Sequence, residues 1–188
     1  MEKEIRRFNN TIKRANEQSR MVEGLAVVFN SESQDMGFYE IIDPNAIDQD
    51  TIANSDIFAL LNHDENRGIL ARSRYGQGTL SLSLEADGLH YSFEAPQTAL
   101  GDELLSYLSR GEITSSSFAF TIADGGDKWE RDINGGLHRT ITKIDRLFDV
   151  SPVFEPAYLA TSANCRKFEE VQETMKQLDE WKNKIAAL

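Results

Sequence analysis

The sequence predicts a mainly β, α+β fold: an antiparallel sheet system closed or nearly closed into a barrel, with helices packed on it and an amphipathic helix at the C-terminal end. Three observations carry that expectation. Large apolar residues alternate with small or polar ones in several short runs, as in Leu80, Leu82 and Leu84 or Phe118, Phe120 and Ile122, the period of a strand with one buried face. Turn residues separate the runs, at Asp87-Gly88 and at Asn134-Gly135-Gly136. The period lengthens to about 3.6 at Leu100, Leu104, Leu105 and Leu108, between a polar start at Thr98 and a stop at Gly111, which marks one helix in the body of the chain.

In chain order, the first strand is expected at Val22–Phe29, an apolar and β-branched run of buried-strand length, and a second at Tyr39–Ile42. Asp43 followed by Pro44 suits a cap and first helical position, so a short helical turn through Ala46 and Ile47 is expected next. Asp56–Leu61 is a strand that delivers the chain to Asn62-His63-Asp64, and Leu89, Tyr91 and Phe93 form the return strand of a hairpin. The helix ending at Gly111 leads into a strand through Ser117, segments 127–133 and 137–144 form another hairpin, and 146–153 is the last strand. Beyond Cys165 the spacing of Phe168, Val171, Met175, Leu178 and Ile185 gives a helix with a heptad-like seam, interrupted by Lys182. Such a short helix needs packing from its own body or from a partner.

These 188 residues suit one domain with a sizeable core. The domain organisation expected is a charged segment over 1–20, a main domain over 21–165 and the amphipathic helix over 166–188. Lys3, Arg6, Arg7, Lys13, Arg14 and Arg20 are interspersed with Glu2, Glu4 and Glu17, a mixture that reads as a solvated segment and not a nucleic-acid arm. A formal charge of −11, from 20 Lys and Arg against 31 Asp and Glu, argues against nucleic acid or an anionic membrane as partner. The single Cys165 cannot form an internal disulfide, and no signal peptide or long apolar span is evident, so a soluble, cytosol-type protein is expected. With one Cys and scattered His, the ligands of a structural zinc site are missing, and no metal or cofactor is expected.

Candidate chemistry lies in three residue types. Ser117 opens the alternating run at 117–122, where it would be held rigidly with one face anchored in the core. A serine hydroxyl is a weak nucleophile without a base in reach, and a neutral imidazole is suited to take its proton. Of the three histidines, His90 alternates within a hairpin strand and His138 sits beside a turn, so both are expected to face solvent; His63, after a buried strand, suits a site better. Asp149 is a lone acid among apolar residues. Each also has a plain structural reading: Ser/Thr at a strand entry satisfying backbone groups, a lone surface His, and an acid at a strand end. The order His63, Ser117, Asp149 does not choose between them, because triads occur in several chain orders.

The motifs Glu23-Gly24-Leu25-Ala26-Val27-Val28-Phe29-Asn30, Asn62-His63-Asp64, Asp87-Gly88-Leu89, Gly111-Glu112-Ile113 with Ser117-Phe118-Ala119-Phe120, Asp149-Val150-Ser151-Pro152-Val153 and Pro156-Ala157-Tyr158 occur in this order over residues 20–166. In that combination the chain resembles the tailed-phage prohead maturation serine proteases, whose fold is similar to herpesvirus assemblin. The resemblance implies a serine endopeptidase with Ser117 as nucleophile, His63 as base and Asp149 as orienting acid, with Asp145 as the fallback third member. Two departures stand out: Ser115-Ser116 precede the nucleophile where the family usually has Gly-Met, and Asp149 stands where Glu is common. The resemblance further implies cleavage of scaffold, or of the scaffold-like N-terminal segment of the major capsid protein, within the procapsid in the host cytoplasm, with self-cleavage. The C-terminal helix is then a possible homo-oligomer contact. The alternative from another class is a catalytically inactive assembly module that binds scaffold.

Overall fold

In a computed structural model of the chain, residues 2–9, 11–154 and 162–186 are described, forming three sheets and three α-helices. Pro156-Ala157-Tyr158, and the side chains of Cys165 and Phe168, lie outside the described residues. The strands are β1 (Glu4–Phe8), β2 (Ile12–Arg14), β3 (Met21–Val28), β4 (Tyr39–Ile42), β5 (Asp56–Ala59), β6 (Ala71–Arg74), β7 (Gln77–Gly78), β8 (Ser81–Glu85), β9 (Gly88–Glu94), β10 (Ile113–Ile122), β11 (Asp127–Arg131), β12 (Leu137–Ile141) and β13 (Ile144–Phe154). The helices are α1 (Gln49–Ala53), α2 (Ala99–Arg110) and α3 (Ser162–Ala186).

Hydrogen bonding divides the strands into a six-stranded sheet, β1-β10-β13-β5-β6-β7, a four-stranded sheet, β2-β3-β9-β8, and a three-stranded sheet, β11-β12-β4. Pairing is antiparallel except for β13 with β5 and β12 with β4. The expected closed or nearly closed, assemblin-like barrel is therefore not what the chain forms: among the described residues each sheet keeps two open edges. Alternation in sequence reports which side chains share a face, but closure requires one edge strand to bond to another.

The two faces of β10 set the architecture. Phe118 and Phe120 stack at 4.6 Å between ring centroids and are fully buried in a core with Val22, Ile57, Leu89, Phe93, Leu104 and Val150. Helix α2 contributes Leu104 and Leu105 to that core; Thr98 caps its N-terminus by accepting from Gly101 N, and Gly111 ends it in the left-handed region at φ 70°, where glycine carries no steric penalty. Gly24 in β3 has a different reason: a Cβ there would lie 2.3 Å from the Tyr91 ring, so the strand packs flat on the tyrosine only without a side chain.

Several local expectations shift. The helical turn expected at Pro44–Ile47 is an Asx turn, in which Asp43 Oδ1 accepts from Asn45 N at 2.8 Å. The helix starts later because Asp48 accepts from Thr51 N at 2.7 Å and the Thr51 hydroxyl answers with a reciprocal contact, a complete capping box. The β8–β9 turn falls on Ala86-Asp87, and Gly88 instead opens β9, where a Cβ would meet Val27 O.

The largest correction concerns the segment read as solvated. Residues 4–8 form β1, the edge strand of the six-stranded sheet, in register with β10 from Glu4↔Phe120 to Phe8↔Ser116. Its charges are buried in a network: Arg6 donates to Glu40 and Glu4, and Arg139 donates to Glu4, Glu40 and Asp127. Arg139 is 2 % exposed, and burial of such charges is tolerated because each finds an opposite partner.

Candidate active site

The site is assembled on one face of the six-stranded sheet. Across β10 and β13, Ser117 pairs with Ser151 and Ala119 with Asp149, while β1 places Arg7 opposite Ser117 and Ile5 opposite Ala119. Residues directly opposite share a face, so Ser117, Asp149 and Ser151 are brought to the side opposite the Phe118–Phe120 stack. Strand β5 runs beside β13 with Phe58 level with Asp149, and the turn that follows it supplies His63. Asn62 and His63 both adopt left-handed backbone conformations, φ 57° and 58°, which side chains other than glycine adopt at a cost, Asn least. The turn is held by Asn62 N donating to Pro152 O at 2.9 Å and Asp64 N to Leu61 O at 3.2 Å. Strain of this kind fixes the direction in which the imidazole leaves the backbone.

The contacts are continuous. His63 Nε2 lies 2.6 Å from Ser117 Oγ, and His63 Nδ1 lies 2.5 Å from Asp149 Oδ1. Ser151 Oγ donates to the same Asp149 oxygen at 2.6 Å. Asp149 Oδ2 is buried and, among the described residues, has no hydrogen-bond partner, but Lys3 Nζ stands 3.5 Å away. Burial alone would raise the Asp149 pKa; the hydrogen bond and charge of His63, the Ser151 hydroxyl and Lys3 outweigh it and hold the carboxyl below its ordinary value. Asp149 is thus a carboxylate facing Nδ1, the arrangement that puts the imidazole proton on Nδ1 and leaves Nε2 as acceptor toward Ser117.

The neighbouring hydroxyls are engaged elsewhere. Ser116 lies on the opposite face and meets Tyr91 OH at 2.9 Å, and Ser115 Oγ contacts Asn9 Oδ1 at 3.3 Å. Burial pushes the Tyr91 hydroxyl pKa well up, so it stays a neutral partner. Asp145 is turned toward Thr121, at 3.5 Å, and Arg146, at 3.8 Å, near the other end of β13. His90 and His138 are half-exposed and paired with Asp87 and with Glu32 and Asp132. Glu85, Asp87 and His90 offer three ligand atoms within 4.8 Å of one another, but this exposed hairpin cluster is accounted for by the His90–Asp87 hydrogen bond at 2.8 Å.

Sequence reasoning missed three contributors. Ser151 was legible in principle, since two residues after Asp149 on a strand means the same face. Lys3 was hidden in the segment read as solvated. The Arg6 carbonyl, which accepts from Ser117 Oγ at 2.8 Å, leaves no mark in a sequence because every residue has one.

Comparison with known proteins agrees with this chemistry. No curated protein matches the chain. A solved structure described as the bacteriophage T4 capsid assembly protease gp21 is 11 % identical with TM-score 0.49, covering 82 % of this chain and 98 % of that one, a likeness too remote to bear on fold details or residue roles. The family model Peptidase S78, caudovirus prohead serine protease, matches residues 8–176, and since that span takes in every residue of the hydrogen-bonded run from Ser117 to Asp149, the chain belongs to the caudovirus prohead serine protease family.

Proposed function

We propose that Ser117, His63 and Asp149 are the catalytic triad of this capsid maturation protease. The observation that carries the reading is the unbroken run of side-chain contacts from Asp149 through His63 to Ser117, at 2.5 and 2.6 Å. Ser117 Oγ attacks a peptide carbonyl carbon as its proton passes to His63 Nε2. The Asp149 carboxylate holds the Nδ1–H tautomer and stabilises the imidazolium; the proton then goes to the leaving amine, and water hydrolyses the acyl-enzyme by the same exchange.

The substrates are the scaffold and the scaffold-like N-terminal segment of the major capsid protein, cut inside the procapsid in the host cytoplasm, with self-cleavage of the protease. Helix α3 serves as a contact between copies: Leu178, Trp181 and Ile185 are exposed along it, an apolar seam that a second copy would cover.

A fluorophosphonate reacts with a serine only where a neighbouring base has activated it. The wild-type chain should carry one label, mapped to Ser117 by peptide mass, and co-expressed scaffold and capsid protein should be cut. A catalytically inactive assembly module would bind scaffold yet take no label and cut nothing, and that result would overturn the proposal.

A further inference from the structure

Ser117 is only 2 % exposed, and Asp149 1 %. A reacting carbonyl must come within about 3.5 Å of the nucleophile, so no peptide reaches Ser117 Oγ in this arrangement unless something moves. On one side of β10 lies β13, an inner strand of eleven residues bonded on both edges. On the other lies β1, five residues at the edge of the sheet, whose Arg6 carbonyl touches Ser117 Oγ.

That contact is itself unproductive. A serine hydroxyl has one proton to donate, and here two acceptors face it, Arg6 O at 2.8 Å and His63 Nε2 at 2.6 Å. While the proton points at Arg6 O it is not aimed at His63 Nε2, so the base is not placed to take it. The Arg6 group also meets the hydroxyl through its oxygen, the wrong end of a carbonyl for attack.

We infer that β1 is an internal occupant of the substrate-strand site: an extended peptide binds by displacing residues 4–8 from the edge of β10, and until then β1 holds the protease latent. This rests on Ser117 being the nucleophile, as proposed above. The edge of β10 is suited to the exchange, because a strand that leaves exposes backbone N–H and C=O groups that an incoming extended peptide satisfies again, antiparallel and without change to β10. The charges allow it too. Glu4 and Arg6 leave as a neutral pair, while Arg139 keeps Glu40 at 3.1 Å and Asp127 at 2.8 Å, so no buried cation is stranded. Little aromatic packing opposes departure: Phe8 stacks on Phe118 at 6.3 Å, and the guanidinium of Arg6 lies over Phe120 at 5.6 Å.

Two experiments on the full chain test the inference. In the first, an extended peptide carrying a phosphonate ester at its carboxyl end is bonded to Ser117, and backbone amide exchange is followed. Residues 4–8 should lose protection at least ~10-fold, as for a segment released to local opening, while β10 stays protected; full protection of residues 4–8 in the adduct would overturn the inference. In the second, Ile5→Cys and Ala119→Cys, opposite one another across β1 and β10, are combined with Cys165→Ser and compared oxidised and reduced. The oxidised form should lose peptide cleavage and the reduced form regain it. Equal cleavage in both refutes displacement and leaves the triad standing; a reduced form that cleaves peptide yet takes no phosphonate adduct on Ser117 refutes the triad itself, and the inference with it.

Discussion

His63 Nδ1 and Ser151 Oγ meet the same oxygen of Asp149, Oδ1, at 2.5 and 2.6 Å. The carboxylate is therefore fixed by two donors on one atom, and its rotation about the Cβ–Cγ bond is set by a residue on its own strand. Asp149→Asn should reduce kcat/KM by about 10⁴-fold, since an amide can present its NH₂ to Nδ1 and impose the wrong tautomer. Ser151→Ala removes one hydrogen bond to an ionised group, worth roughly 1.5–3 kcal/mol, and should lower kcat by about ten-fold with KM unchanged. Steady-state kinetics on a reporter peptide separate the two effects. A Ser151→Ala enzyme with wild-type kcat would show that Asp149 is positioned by His63 alone.

Ser117→Ala and His63→Ala should each lower processing of a co-expressed substrate at least ~10³-fold without unfolding the chain, because members of such a unit fail together. Ser115→Ala and Ser116→Ala should keep most activity, as their hydroxyls serve Asn9 and Tyr91. Gel analysis of processed capsid protein alongside circular dichroism decides it. An inactive Ser116→Ala with an active Ser117→Ala would assign the nucleophile to the other face of β10.

Strand alternation made the buried face of β10 legible, because Phe118 and Phe120 recur at the period of two that burial imposes. Helix α2 was legible from its Thr98 and Gly111 ends, which are used as cap and left-handed stop. His63, Ser117 and Asp149 meet, yet nothing local in the sequence dictates that a turn after β5 and the middle of β13 lie side by side. Their meeting depends on a parallel pairing, Phe58 with Asp149, which is a long-range event. Strand β1 was illegible for a different reason: Glu4 and Arg6 are charges that look solvated until Arg139 and Glu40, more than thirty residues away in sequence, arrive to neutralise them.

The left-handed pair Asn62-His63 makes a prediction about strain. Asn62→Gly relieves the backbone cost at φ 57° and should leave stability within about 1 kcal/mol of wild type, whereas the β-branched Asn62→Val should cost roughly 1–2 kcal/mol. Activity should fall in Asn62→Val because the imbalance is transmitted to the direction of the His63 ring. Urea unfolding paired with fluorophosphonate labelling rate measures both. A Val variant as stable and as fast as wild type would show that the turn is not strained.

Glu4 and Asp149 give stability a defined pH dependence. Burial opposes ionisation of Glu4, but its hydrogen bond and ion pair with Arg139, and then Arg6, prevail and hold its pKa below the usual value; Asp149 is lowered against the same opposition by His63, Ser151 and Lys3. A carboxyl depressed in the folded state binds protons more weakly there than when unfolded. Its contribution is full above the ordinary carboxylate range near pH ~4 and is lost as pH falls through the depressed values. Unfolding free energy should therefore drop steeply below pH ~4, and Glu4→Gln should flatten that slope while lowering stability at neutral pH. An unchanged acid slope in Glu4→Gln would remove the residue from the linkage. Arg139→Met, which leaves Arg6 to neutralise both Glu4 and Glu40, should cost more, roughly 3–5 kcal/mol at neutral pH.

Helix α3 offers the last prediction. Of its described seam residues, Val171 and Met175 are half-buried while Leu178 and Ile185 are exposed, with Trp181 exposed beside them, and a helix of this composition is marginal in water without a partner face. Exposed leucine and isoleucine at heptad spacing bury when two copies align their seams, and charged residues there oppose it. Leu178→Glu combined with Ile185→Glu should therefore shift self-association to higher protein concentration by analytical ultracentrifugation, and lower the number of protease copies recovered per procapsid, while the rate of Ser117 labelling and the thermal midpoint of the sheet body stay at wild-type values. If the midpoint collapses instead, the seam packs against the body of its own chain and the contact between copies must be sought elsewhere.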